Sequence, residues 1–202
     1  MARLGDLAEE TRRNVTKGSL QAEARYVGLE HIPRRSLALD AWEELTELGS
    51  NKLEFKKGEV LFGKIRPYFH KVSVAPFDGV CSADTIVIRA TRPDDYGLVV
   101  ATVSSDAFVR HATVTSNGSK MPRANWAVLR EYPVAVPNRA IARRFTDFVT
   151  NVVGLQQNLV FQNMNLRQTR DLLLPRLLSG QLSLAETEGN PVLVAEPEAV
   201  PS

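Results

Sequence analysis

The chain has 202 residues, and its 44% hydrophobic content is enough for one domain with a substantial core plus an extension, which excludes a bare coiled-coil rod. All lysines and arginines precede residue 183, and the rest of the chain holds four acids: Glu186, Glu188, Glu196 and Glu198. Residues 1–182 are therefore mildly basic. That charge permits a polyanionic partner but does not require one.

Cysteine content and hydropathy restrict the chemistry and the location. Cys81 is the only cysteine, which excludes an internal disulfide and a multi-cysteine metal site. On a predicted strand, it is expected to be a small buried hydrophobe rather than a nucleophile. No apolar run reaches membrane-spanning length, and the first residues lack the hydrophobic core of a signal peptide. A cytoplasmic protein with no membrane contact is the expectation.

Short alternating runs in the first half of the chain predict strands. Residues 9–22 are polar and predict a loop, and residues 26–29 resume an extended apolar pattern. Strands are predicted at residues 60–66, 72–75 and 80–89, separated by turn residues. Three strands this close in sequence favour an antiparallel sheet.

The second half of the chain adds helices. Apolar spacing predicts an amphipathic helix over residues 98–111, and a polar, glycine-bearing loop is expected at residues 115–126. A short helix at residues 127–129 and a last strand at residues 132–136 follow. Asn138 is a candidate N-cap for the next helix. This order of elements predicts an α+β fold.

The longest pattern is a run of five heptads from Arg139 to Leu173. Its narrow apolar stripe predicts a helix of roughly 50 Å that pairs with another helix, although packing on its own domain remains an alternative. Pro175 is expected to end this helix. We call the apolar stripe the seam; it consists of Ile141, Phe145, Phe148, Val152, Leu155, Leu159, Leu166 and Leu173.

These patterns divide the chain into three parts. Residues 1–138 are expected to form a globular domain with an antiparallel sheet, and residues 139–182 the long helix with its C-terminal turn. Residues 183–202 are rich in Glu, Pro, Ala and Val without periodicity, which predicts a disordered acidic tail. No internal repeat is visible.

A search for catalytic motifs finds none with convincing spacing. The nearest pattern is Asp40 with Glu54 and Lys56, an arrangement that some metal-dependent nucleases use to hold Mg²⁺ and orient water. The same residues are explained more simply as a solvated charged surface. A nuclease is therefore a weak alternative.

Two basic, polar segments are better candidates for a binding site. Lys and Arg neutralise phosphates, and Arg, Asn and Ser reach base edges, so both segments suit double-stranded DNA. Solvated charges around packing residues are the alternative. The candidates are Lys64, Arg66, Tyr68, His70 and Lys71 in the first segment, and Ser116, Asn117, Ser119, Lys120, Arg123 and Asn125 in the second.

Four motifs, three before the long helix and one at its C-terminal end, together with that helix resemble the DNA specificity (S) subunit of type I restriction-modification systems. The likeness covers residues 3–184. In family order, the motifs are KGEVLFGKIRPY at residues 57–68, FDGVCSAD at 77–84, GSKMPR at 118–123 and LPRLLSG at 174–180.

The resemblance implies a non-catalytic DNA reader. In that family, a target-recognition domain reads one half of a split DNA sequence, and long helices act as spacer and docking site for methyltransferase (M) subunits, which bring in restriction (R) subunits. S-adenosylmethionine, ATP and Mg²⁺ are expected in those partners and no cofactor in this chain.

Family members commonly carry two recognition domains and two spacer helices, whereas this sequence shows one of each. A second specificity half is therefore expected as a partner, either an identical copy or a related chain, bound as a dimer through the seam. A truncated remnant remains an alternative, as does a degenerate half-subunit that acts only as a protein-interaction module.

Overall fold

The computed structural model describes residues 1–15, 24–45 and 51–181; the predicted acidic tail lies outside them. The strands are β1 (Ala2–Arg3), β2 (Ala8–Thr11), β3 (Arg13–Asn14), β4 (Ala24–Val27), β5 (Glu43–Leu45), β6 (Lys52–Phe55), β7 (Val60–Gly63), β8 (Val72–Val74), β9 (Gly79–Ser82), β10 (Thr85–Ala90) and β11 (Pro133–Val134). The helices are α1 (Leu4–Leu7), α2 (Tyr96–Val103), α3 (Asp106–Val114), α4 (Trp126–Leu129) and α5 (Arg139–Leu178).

The described strands form three sheets. A four-stranded antiparallel sheet has the order β2, β10, β7, β8, and a five-stranded sheet has the order β3, β6, β9, β4, β5. Strands β4 and β9 pair in parallel, whereas the other neighbours in this sheet are antiparallel. β1 and β11 form a short antiparallel pair. The predicted α+β fold with an antiparallel sheet and a long C-terminal helix is confirmed.

Alternate residues of β7 and β10 point into two hydrophobic cores. Phe62, Ile86 and Ile88 join the core formed with the helices, while Leu61 and Val87 join the core shared with the five-stranded sheet. The two central strands are therefore buried on both faces, which explains their nearly continuous apolar sequences. The loops that leave these strands start from a rigid base.

Cys81 belongs to the second core, as predicted. It is completely buried, and this burial raises the pKa of its thiol to about 12. A thiol in such surroundings is a packing residue rather than a nucleophile, because the reactive thiolate is disfavoured.

The sequence prediction was wrong in two strand regions. The strand predicted at residues 80–89 is two strands in different sheets, β9 and β10, separated by a turn in which Ser82 Oγ accepts a hydrogen bond from the Asp84 amide. In residues 9–15, the described part of the segment 9–22 predicted as a loop, β2 and β3 form instead; residues 16–22 lie outside the described residues. Glu9 on β2 bonds with Arg89 across the sheet, so partner strands supply the pairing that local sequence does not favour.

The predicted helix at residues 98–111 is interrupted and forms α2 and α3. Ser105 Oγ accepts a hydrogen bond of 3.1 Å from the Phe108 amide and so acts as the N-cap of α3. Apolar spacing continues across this break, and the cap decides where the new helix begins.

Helix α5 begins as predicted and ends later than predicted. Asn138 Oδ1 accepts from the Ile141 amide at 3.0 Å, which confirms the N-cap. Pro175 lies within the helix rather than ending it. A proline in the last exposed turn removes one backbone donor, but water can bond the released carbonyl, so the loss is small there. The chain leaves the helix at Gly180, which has a φ of +71°.

The chain divides into two compact units, Met1–Phe161 and Gln162–Ser202. The first part of α5 therefore belongs to the same unit as the sheets, whereas the sequence placed the division at the start of the helix. None of the helices in the described ranges is long and apolar enough to cross a membrane.

Polar side chains fasten the first part of α5 to the domain. Thr146 Oγ1 donates to the Asp94 carbonyl at 2.7 Å and accepts from the Gly97 amide at 3.0 Å. The buried Gln157 side chain accepts from the Leu39 amide at 2.9 Å and donates to the Leu39 carbonyl at 2.8 Å. These bonds fix the angle and depth at which the helix packs.

Candidate nucleic-acid interface

The structure brings the two basic segments together through backbone hydrogen bonds. The Ala124 amide donates to the Lys64 carbonyl at 2.9 Å, and the Arg66 amide donates to the Pro122 carbonyl at 2.8 Å. Between them, Ile65 pairs with Arg123 as an antiparallel bridge. We call this pair of segments the ribbon; it consists of residues 64–71 and 116–125.

The second segment of the ribbon is a tight loop closed by Asn117 and Arg123. Each donates its amide to the other's carbonyl, at 3.1 and 2.8 Å. Gly118 follows with a φ of +100°, a conformation that favours glycine. The loop thereby presents Ser119 and Lys120 as exposed side chains.

The first segment turns sharply around a short 3₁₀ helix, Pro67–Phe69. Arg66 and His70 flank this turn with φ values of +50° and +53°, which for residues other than glycine cost about 1–2 kcal/mol each. The turn leaves Tyr68 51% exposed, with its ring 4.9 Å from the Phe69 ring. Backbone held in such a conformation is common at binding sites.

His70 anchors this turn to α3. It is only 7% exposed, and its Nε2 lies 2.8 Å from the Ser104 carbonyl, which can only accept, so this nitrogen carries the proton. Its Nδ1 lies 3.4 Å from Asp106 Oδ1. The structure therefore places this predicted DNA contact beneath the surface, as an anchor.

Lys71 is also turned inward. Its Nζ donates to the Leu29 carbonyl, and burial lowers the pKa of its amine, with a further contribution from Arg34. Because the amine is already bonded to the protein, Lys71 is less suited to a phosphate contact than the exposed cations of the ribbon.

Two other predicted contacts have local structural roles. Ser116 Oγ donates to the Thr113 carbonyl at 2.7 Å at the end of α3. Asn125 Oδ1 accepts from the Ala127 amide at 3.0 Å and so caps α4, although the residue itself is exposed. Their positions tie the ribbon to the helices that flank it.

A cleft of about 280 Å³ lies beside the ribbon, and Arg123 reaches over it with half of its side chain exposed. Arg123 Nη2 is 3.8 Å from Asp84 Oδ1, a loose pair that leaves the guanidinium able to bind another anion. Arg12 and Glu10 of the N-terminal segment line this cleft and form an ion pair at 3.0 Å. The predicted residues that line it are Lys64, Asn117, Arg123 and Asn125.

Sequence reasoning missed three basic residues near the ribbon. Arg12 lies in the segment predicted as a loop, and no pattern connects it with residues fifty positions away. Arg34 and Arg35 form a basic pair after Pro33, which is a weak local signal. The Arg35 amide donates to the His70 carbonyl at 2.9 Å, which brings this pair to the edge of the ribbon.

Two of the three residues of the nuclease pattern, Glu54 and Lys56, belong to a surface ion-pair network. Lys56 Nζ lies 2.7 Å from Glu54 Oε1 and 3.3 Å from Asp78 Oδ2, and these partners raise the pKa of its amine. In the parts of the chain that the structure describes, no three acidic, histidine or cysteine side chains are grouped to hold a metal ion. The geometry favours the explanation as a solvated charged surface.

The seam on α5 is largely uncovered. Phe145 is half-buried, and the other seven members are between 42% and 66% exposed. An apolar stripe of this kind usually marks an interaction surface. The seven exposed members are Ile141, Phe148, Val152, Leu155, Leu159, Leu166 and Leu173.

No family model matches the chain. Over 174 residues it is 29% identical to the type I restriction enzyme EcoDI specificity subunit of Escherichia coli, in an alignment that covers 82% of this chain and 38% of that protein. The chain thus spans well under half the length of this curated relative.

Solved structures share the fold. A chain from a type I R-M system, studied for its complex assembly and conformational transition, matches with a TM-score of 0.61 and 18% identity over 96% of this chain and 50% of that one. The HsdS subunit from Thermoanaerobacter tengcongensis matches with a TM-score of 0.58 and 19% identity over 85% of this chain and 46% of that one. The S subunit from M. genitalium matches with a TM-score of 0.59 and 11% identity over 88% of this chain and 45% of that one.

An α+β domain followed by a long C-terminal helix is thus the fold that this chain shares with structures of specificity subunits. Together with the sequence match, this fold confirms the resemblance carried by the four motifs. The chain is a homologue of type I restriction enzyme specificity subunits.

Proposed function

We propose that the chain is a DNA-recognition half of a type I specificity subunit. It reads one half of a split sequence in double-stranded DNA and docks M subunits. The observation that carries this proposal is the ribbon, in which two basic motifs distant in sequence form one surface through paired backbone hydrogen bonds.

The ribbon has the shape and chemistry of a DNA reader. A two-stranded ribbon fits the major groove, where bidentate arginine contacts distinguish guanine from the other bases. Arg66, Lys120 and Arg123 are exposed, and Tyr68 stands half-exposed beside them on the same turn as Arg66. Positive charge is thereby combined with hydrogen-bonding reach.

The exposed seam supports pairing with a second half, either an identical copy or a related chain, in antiparallel fashion. Two identical halves would be related by a two-fold axis, so their target would be an inverted repeat split by unread bases. Unlike halves would read an asymmetric site. A helix of roughly 50 Å corresponds to about 15 base pairs, which places the half-site centres about one to one and a half turns apart.

The chain by itself is proposed to be non-catalytic. Methylation and cleavage belong to the M and R partners, which would supply S-adenosylmethionine, ATP and Mg²⁺. One of the structurally similar chains comes from a type I R-M complex, which supports assembly with such partners. Methyl transfer by the rigorously purified chain, lost on a point substitution within it, would overturn this part of the proposal.

A protein-interaction module that only occupies M subunits is the second candidate. The seam is exposed whether or not the ribbon reads DNA, so this observation suits both functions. Sequence-specific DNA binding separates them.

The test is selection of bound duplexes from a randomised library by the purified chain at raised salt, where nonspecific phosphate binding is weak. We expect a reproducible half-site motif. If Arg123 reads a base, Arg123→Ala costs about 1–3 kcal/mol of binding and relaxes one position of the motif. If Arg123 binds a phosphate, all sequences weaken alike and the salt slope falls by about 1.

The matched control is Arg143→Ala, which removes an exposed arginine of α5 outside the ribbon and should leave the motif intact. If the wild type selects no motif at any salt concentration, the interaction module is the better function. If it does select one but Arg66→Ala and Arg123→Ala both leave affinity, motif and salt slope unchanged, the reading surface has been assigned to the wrong face.

A further inference from the structure

A third basic loop, which none of the sequence motifs includes, lies against the ribbon. Besides the amide bond of Arg35 to the His70 carbonyl, Arg34 forms an antiparallel bridge with Lys71. The Arg34 guanidinium carbon lies 4.2 Å from the centroid of the Phe69 ring. The loop is thus held on the same turn that presents Tyr68.

The two arginines of this loop differ in their partners. Arg35 Nη1 lies 2.9 Å from Asp106 Oδ1, so Arg35 already has a carboxylate partner within the protein. For Arg34, no carboxylate of the described residues lies within ion-pair distance, and its side chain stacks on an aromatic ring instead. A guanidinium stacked in this way keeps its edge N–H groups available for an anion.

Arg34, Phe69 and Tyr68 form a contiguous series of contacts at the edge of the ribbon. The Phe69 and Tyr68 rings meet edge to face, with an interplanar angle of 66°. Arg34 is exposed at one end of the series and Tyr68 is half-exposed at the other. Stacking restricts the long arginine side chain before any ligand arrives, which reduces the entropy lost on binding.

Backbone strain is concentrated at this junction. The non-glycine residues with positive φ among those described are Arg35, Arg66 and His70, at +56°, +50° and +53°. Left-handed backbone at such residues persists only where surrounding contacts enforce it, and it clusters at ligand-binding sites. All three residues lie where the Arg34 loop meets the ribbon.

The same loop is also attached to α5. Downstream of Arg34, the Gln156 side chain donates to Ser36 Oγ at 3.4 Å, and Gln157 brackets both backbone groups of Leu39. The loop is therefore fixed on one side by the turn and on the other by the helix. Such support from two sides holds a binding side chain in a defined position.

We propose that Arg34 is a third DNA contact of this chain and that it binds a backbone phosphate beside the half-site that the ribbon reads. This inference rests on the proposed function. A phosphate is favoured over a base because Arg34 flanks the ribbon at its Lys71 end, and residues flanking an element in the groove meet the sugar-phosphate backbone.

The experiment measures the salt dependence of binding to the selected duplex for the wild type, Arg34→Ala and Arg35→Ala. The two variants remove the same charge from adjacent exposed residues of one loop, so their difference isolates the direct contact. We expect Arg34→Ala to weaken binding to all sequences by about tenfold and to reduce the salt slope by about 1. Arg35→Ala should keep the wild-type slope.

Arg34→Lys serves as the second variant, since it preserves the charge and the aliphatic stem and should retain most of the slope. Thermal unfolding of each variant shows whether the loop change has damaged the fold. If the wild type and Arg123→Ala behave as proposed but Arg34→Ala keeps its affinity and slope, Arg34 is not a contact and the proposed function survives. A loss confined to one motif position would contradict the phosphate assignment. Absence of specific binding by the wild type would instead remove the proposed function itself.

Discussion

Within the unit Met1–Phe161, helix α5 has two long faces of opposite character. The face against the domain uses mostly small and polar side chains, Ala142, Thr146, Val149, Val153 and Gln157, and ends with Phe161 against Trp42. The uncovered face carries larger apolar side chains: Ile141, Phe148, Val152, Leu155 and Leu159. The apolar repeat visible in the sequence thus marks the surface left for another molecule, not the one that joins the helix to its own domain.

Close approach and hydrogen bonding explain the composition of the packed face. Gly97 lets α2 approach α5 so closely that an added Cβ would lie 2.7 Å from Thr146 Cα. Gln157 satisfies two backbone groups that would otherwise be buried without partners, and each such loss costs about 1–3 kcal/mol. Neither a glycine nor a polar glutamine contributes to a repeat of apolar residues, so the packed face leaves no such repeat in the sequence.

The largest expected effect comes from placing charge in the seam. Leu159→Glu combined with Leu166→Glu should abolish pairing of the purified chain, a weakening of about 100-fold or more, because an unpaired charge would be buried at the helix interface. The domain should keep its unfolding temperature. Light scattering measures the association. Gln168→Glu adds a charge outside the seam and should leave pairing intact, and a monomeric wild type would contradict the prediction of self-association.

On the packed face, Gln157→Ala should destabilise the domain by about 2–4 kcal/mol, since the Leu39 amide and carbonyl both lose their partner. Association through the seam should be unchanged in the folded protein. Denaturant unfolding gives the free energy. Asn158→Ala changes the next, exposed residue and should stay within about 0.5 kcal/mol of wild type. Equal effects for both variants would mean that the two hydrogen bonds between Gln157 and Leu39 contribute nothing to stability.

Two glycines give a comparison of opposite sign. Gly97→Ala should destabilise by about 1–3 kcal/mol, because the new methyl group meets the backbone of Thr146. Gly154 lies in α5 with open space around it, so Gly154→Ala should stabilise the protein by about 0.5–1 kcal/mol. Thermal unfolding of the two variants provides the measurement. Stabilisation by Gly97→Ala would show that α2 and α5 do not approach so closely.

The smallest effect is expected for thiol labelling of Cys81, which also shows whether the other variants are folded. Since burial raises the pKa of its thiol to about 12, the native protein should react negligibly with a thiol reagent at about pH 8, and the unfolded chain fully. While they are folded, the variants on the seam and on the packed face of α5 should keep Cys81 equally unreactive toward the reagent. Rapid labelling of the native wild type would show that the second core opens readily.

The parts of this protein that could be predicted from sequence are those with local signals. The heptad repeat gave the seam and its helix, and the basic motifs contained the residues that now line the ribbon. The break at Ser105, the change of sheet after Ser82 and the continuation of α5 through Pro175 depend on tertiary contacts or capping, and apolar spacing does not record them. Arg34 reaches the ribbon only through pairing with residues about 35 positions away, so its neighbours in sequence gave no indication of its place.

The most direct test of the account is a comparison of DNA methylation across the genome of the host with and without this gene. If the chain supplies one half of a split target to M subunits, a methylated motif with two short specific parts and an unread gap should be lost on deletion and restored by the wild-type gene. Shortening α5 by whole turns should shorten the gap. An unchanged methylation pattern after deletion would contradict the proposal that this chain directs methylation to its sequence.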